Sequence, residues 1–75
     1  SLEFLLENQE VKTELNTNKA QYRDLLLTIL SSKRFDEIDT REGKDILKAE
    51  ITSTLNPFLK KGRITKVIIT DIIYN

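Results

Sequence analysis

The chain has 75 residues, with twelve Lys and Arg against twelve Asp and Glu, and neither Cys nor His. This length makes one small domain, and the missing residue types exclude disulfides, the usual transition-metal ligands and His- or Cys-based nucleophile pairs. Balanced charge argues against a dedicated nucleic-acid binder, which carries surplus cations on one face, and no apolar run approaches the roughly 18 residues of a membrane span.

The chain opens on Ser1 and runs straight into a strand-like alternation, which reads as a trimmed part of a longer protein. Leu2, Phe4 and Leu6 point one way while Glu3, Leu5 and Glu7 point the other, the pattern of a half-buried strand. Asn8 is a suitable N-cap for a first helix from about Gln9 to Ser32. Val11, Leu15, Tyr22, Leu26 and Ile29 form its apolar stripe. Asn16-Thr17-Asn18 lowers helix propensity midway and allows a break. Lys33-Arg34 suits the negative end of a helix, and Phe35 and Ile38 are expected to plug the hairpin.

Asp39-Thr40-Arg41-Glu42 reads as an Asp variant of a capping box, with Thr40 the competing cap. A second helix then extends to about Asn56, with Leu47, Ile51, Leu55 and Phe58 facing inward. Pro57 ends it, and Lys60-Lys61-Gly62 turns the chain, with Gly62 free to take positive φ. Arg63 to Tyr74 is a second strand rich in β-branched residues.

If each element reverses against its predecessor, the two strands are antiparallel neighbours or near-neighbours with both helices on one face. The fold class is therefore α+β, in the order β-α-α-β, with a helical hairpin on a small antiparallel sheet. An isolated two-stranded ribbon is marginal in water, and so small a core offsets chain entropy only narrowly. Packing or association with other chains must supply the remainder.

The second strand does not alternate cleanly. Strict period two places Ile64, Ile68, Ile72 and Tyr74 on one face, and Val67, Ile69 and Ile73 with Thr65 and Asp71 on the other. A sheet wet on one side needs a single apolar face, so the second apolar row is a candidate protein contact. Leu5 and Leu27, which fall off their core stripes, join it. The interface candidates are thus Leu5, Leu27, Val67, Ile69 and Ile73. Lys60, Lys61, Arg63 and Lys66 form a small basic patch without interleaved aromatics, so base stacking has no platform. Asp36, Glu37 and Asp39 cluster where a helix starts, as capping requires, and Gly43 and Gly62 are isolated. Nothing points to catalysis or to a cofactor.

The ordered set Leu25-Leu26-Leu27-Thr28-Ile29-Leu30-Ser31-Ser32-Lys33, then Thr40-Arg41-Glu42-Gly43-Lys44, then Asn56, then the strand from Gly62 to Ile73 resembles the C-terminal part of the flagellar basal-body-associated FliL family. Pro57, directly after Asn56, is less usual in that pattern. The resemblance implies a stomatin/prohibitin-like periplasmic domain of an inner-membrane protein, anchored by a transmembrane helix that precedes this chain. On that reading residues 1–75 are one fragment of the domain, with further strands and a linker upstream. The family resemblance further implies a non-enzymatic motor component without cofactor. It would assemble with itself into a ring or arc and contact the stator units, supporting torque and motility. The rival reading is a soluble α+β module that takes a peptide by strand addition. A third, weaker one is an RNA or lipid-headgroup contact through the basic patch.

Overall fold

A computed structural model describes residues 1–70. Strand β1 (Leu2–Leu6) leads into helices α1 (Gln9–Thr17) and α2 (Lys19–Ser31), a one-turn α3 (Phe35–Ile38), and α4 (Arg41–Leu55). A 3-10 turn (Asn56–Phe58) and strand β2 (Ile64–Ile69) follow. The α+β expectation holds, with two additions to the helical hairpin: the first helical segment is broken into two helices, and the one-turn α3 precedes α4. At Asn18 the backbone leaves helical geometry (φ −110, ψ 34). Its amide and its side-chain Nδ2 both donate to the Glu14 carbonyl, at 3.1 and 3.2 Å. An Asn side chain competes with the backbone for helix carbonyls in this way, which is why the low-propensity run breaks here.

Caps fix the other boundaries. Asn8 Oδ1 accepts from Val11 N at 3.0 Å, as expected of an N-cap. At α4 the cap is Thr40, whose Oγ1 accepts from Gly43 N at 2.9 Å. The expected Asp39–Glu42 box is therefore corrected: α3 occupies the preceding turn, and Asp39 ends that turn in helical geometry. Glu37 reaches back to the Arg34 amide at 2.8 Å to start α3. Gly43 belongs to this packing, because a Cβ there would overlap the Glu37 carbonyl.

The Pro57 turn rotates the chain after α4, so Leu59 is buried and Phe58, expected inward, is 47% exposed. Ile38 closes the hairpin end at 2% exposure, whereas Phe35 is 46% exposed. Asn56 then serves as a surrogate strand residue. Its Oδ1 accepts from Ile64 N at 2.8 Å and its Nδ2 donates to Ile64 O at 3.2 Å. Gly62 takes φ +154, with Val11 Cγ2 only 2.7 Å from where a Cβ would sit.

The strands pair antiparallel: Leu2 with Ile69, Glu3 with Ile68, Phe4 with Val67, Leu5 with Lys66 and Leu6 with Ile64. The register slips between Leu5 and Leu6, leaving Thr65 as a bulge whose hydroxyl donates to Leu5 O at 3.0 Å. One extra residue reverses the alternation beyond it. Ile64 and Val67 consequently both face the core, at 3% and 2% exposure. This corrects the face assignment of β2: Val67 and Ile69 point inward, and Lys66 and Ile68 outward.

Val11, Tyr22, Ile29, Ile38, Leu47, Ile51, Leu55, Leu59, Ile64 and Val67 form one cluster. Leu2, Phe4 and Leu6 from β1 and Ile69 from β2 pack against it. All helices thus lie on the inner face of the ribbon, and none of the described residues forms a third strand.

Candidate interaction surface

The interface candidates separate into different environments. Leu5, 48% exposed, stands on the outer face of the ribbon, and Leu27, 57% exposed, on the solvent side of α2. Val67 is core, and Ile69 is half-buried against that core. Neither lies on an outward strand face, because the bulge turns both inward. Ile73 lies outside the described residues.

What the register brings together on the outer face is a block of four residues. Leu5 faces Lys66 and Glu3 faces Ile68 across the ribbon, so Leu5 and Ile68 occupy one diagonal and Glu3 and Lys66 the other. Neighbours on one sheet face lie close enough for their side chains to meet both directly and diagonally. Glu3, Leu5 and Lys66 are exposed and Ile68 is half-buried. Neither Glu3 nor Lys66 is ion-paired: among the described residues the ion pairs are Lys33–Glu50 at 2.7 Å and Arg34–Asp36 at 2.6 Å. Sequence periodicity misses Ile68 and Lys66 as outward neighbours because Thr65 looks like any polar strand residue.

The basic turn is held rigidly from below. Glu14, one α-helical turn before Asn18, accepts from Lys60 N with both carboxylate oxygens, at 2.9 and 3.0 Å. Lys61 N also donates to Glu14 Oε1 at 2.9 Å. Asn8 Nδ2 donates to Lys61 O at 3.1 Å, and Glu7 N to Arg63 O at 3.0 Å. A shallow hollow of about 300 Å³ lies between this turn and α1, lined by Glu10, Thr13, Glu14, Thr17, Asn18, Lys60 and Lys61. A second, about 470 Å³, is formed by Thr52, Ser53, Asn56, Pro57 and Arg63. The hydroxyls of Thr13, Thr52 and Ser53 are committed to helix carbonyls. Glu14 is committed to the turn, so these polar groups of the two hollows are already engaged within the fold.

Electrostatics agree with a structural role for the charged groups near the core. Burial, and secondarily the Glu14 charge, hold the Tyr22 hydroxyl above its ordinary 10.0. The Lys33 ammonium is held above 10.5, first by its hydrogen bond to Glu50. Among the described residues no group of three His, Cys, Asp or Glu side chains is placed to hold a metal, and no helix is long and apolar enough to cross a membrane.

The sequence that builds this fold is similar to those of known proteins. The family model described as flagellar basal body-associated protein FliL matches residues 1–74. A flagellar protein FliL of Aquifex aeolicus (strain VF5) is 33% identical over 73 residues, covering 97% of this chain and 45% of that protein. One from Bacillus subtilis (strain 168) is 30% identical over 65 residues, covering 87% of this chain and 46% of that protein. The chain thus spans less than half the length of the curated relatives it matches. The match runs along nearly the whole chain, and the chain belongs to the flagellar basal body-associated FliL family.

Proposed function

We propose that this chain is part of a non-enzymatic component of the bacterial flagellar motor. In this reading it is a stomatin-like periplasmic domain, anchored in the inner membrane by a helix preceding it. It assembles with itself beside or around the stator units and supports torque. The observation that carries the reading is the family match over residues 1–74. The exposed apolar side chains Leu5 and Leu27 supply contact surface that the described fold leaves uncovered.

The test is genetic and physical. Deleting the gene should reduce swimming or swarming, and the full-length protein should restore it. Cross-linking in cells should recover the protein with itself and with stator subunits. Normal swimming and swarming in the deletion strain, together with no stator cross-link, would overturn the reading. In that event the two-stranded sheet favours strand addition along β1, which pairs on one side only among the described residues, whereas Asn56 already occupies the start of the outer edge of β2.

A further inference from the structure

We infer that the outer face of the β-ribbon binds the same face of a second copy of this chain through an isologous contact. The occupant follows from the charge pattern. Leu5 and Ile68 lie on one diagonal of the outer block, and Glu3 and Lys66 on the other. A two-fold axis laid along the Leu5–Ile68 diagonal sets Leu5 against Leu5 and Ile68 against Ile68 of the partner copy. The same rotation sets each Glu3 against a Lys66. Axes along or across the strands instead set Leu5 against a charged residue. One symmetry operation therefore satisfies all four residues, which is the requirement for a closed dimer.

The charges are ready for this use, because neither Glu3 nor Lys66 is ion-paired among the described residues. The bulge at Thr65 makes the arrangement possible: it turns Val67 and Ile69 into the core and Lys66 and Ile68 outward. Strands of five and six residues expose roughly 200 Å² on one side. A stable interface needs about 800 Å² per partner. The contact is consequently weak and works where copies are held close together. It rests on the proposed function only in pairing copies within that self-association, a ring or arc needing a second, head-to-tail contact besides it, and its test is independent of motility.

The chain has no cysteine, so single substitutions report cleanly. Oxidative cross-linking of Leu5→Cys or Ile68→Cys at high protein concentration should be at least several-fold faster than that of Leu27→Cys, which is the more exposed position but remote from the axis. In the Leu5→Cys background, Glu3→Lys or Lys66→Glu alone should slow cross-linking several-fold. An equimolar mixture of those two variants should recover the rate and yield chiefly the mixed dimer by mass, since both contacts between positions 3 and 66 then join opposite charges. Equal rates at positions 5 and 27, or a mixture as slow as either charge variant alone, would overturn the proposal. Self-association that persists through position 27 moves the interface and leaves the motor reading standing. Circular dichroism of each variant separates a lost contact from a lost fold.

Discussion

Two residues near the ends of α4 do more for this fold than their size suggests. Gly43 lets α3 lie against the start of α4, so Gly43→Ala forces α3 to move and should cost about 2 kcal/mol or more in urea unfolding. Asn56 closes the α4–β2 connection with two hydrogen bonds to one residue. Asn56→Ala leaves part-buried backbone groups of Ile64 without partners and should cost roughly 1–3 kcal/mol by the same measurement. The two raised groups, Tyr22 and Lys33, act in one direction. Each binds its proton more tightly folded than unfolded, so its contribution is complete below the ordinary values of 10.0 and 10.5 and is lost as pH rises through the folded ones. Thermal unfolding temperature should therefore fall as pH rises above about 10, and less so in Tyr22→Phe. With Tyr74→Phe, Tyr22 is the sole tyrosine, and its ultraviolet titration should have a midpoint above 10.0. Asn8 and Gly62 are legible as a cap and a turn from type and place alone. Thr40 displaces Asp39 as the α4 cap because α3 has already used Asp39, which no local pattern shows.

At the level of elements, helices are read well from sequence and strand faces less well, for a physical reason. Val11, Tyr22, Ile29, Leu47, Ile51 and Leu55 follow helical spacing and are buried as that spacing requires. A strand has only two faces, so one unmatched residue exchanges them. Thr65 is that residue, and its bulge is visible only in the pairing with Leu5 and Leu6. Which face a residue occupies decides what a charge there costs. Val67→Asp, on a face that strict alternation makes outward, places a charge among core residues and should cost about 3–5 kcal/mol or abolish folding. Leu5→Asp, on the true outer face, should shift the urea midpoint by less than about 1 kcal/mol equivalent.

Across the whole molecule, the sheet, α1 and the basic turn are joined by contacts far apart in sequence. Glu14 bonds two amides 46 and 47 residues away. Glu14→Ala should leave α4 and its packing intact while the amides of Lys60 and Lys61 exchange with solvent at least about tenfold faster, read by hydrogen exchange. That carboxylate looks like an ordinary solvated helix residue, since a long-range acceptor has no signature in spacing. The resemblance to the family is legible because the Ser-Ser-Lys, Thr-Arg-Glu-Gly-Lys and Asn pieces that carry it are local, whereas the proposed contact face depends on pairing across the chain. The ribbon also closes the molecule: Thr70 N donates to Ser1 O at 3.1 Å, so residues 1 and 70 lie side by side at one end. Tension applied between those two points acts across the hydrogen bonds one pair after another, like opening a zip, and never loads them together. A pull on that end peels β2 from β1 at low force, beginning at Ser1. Force entering at one strand and leaving through the helices must instead tear the packed core at once. The direction of loading, more than the strength of any bond, decides how well this domain bears mechanical stress.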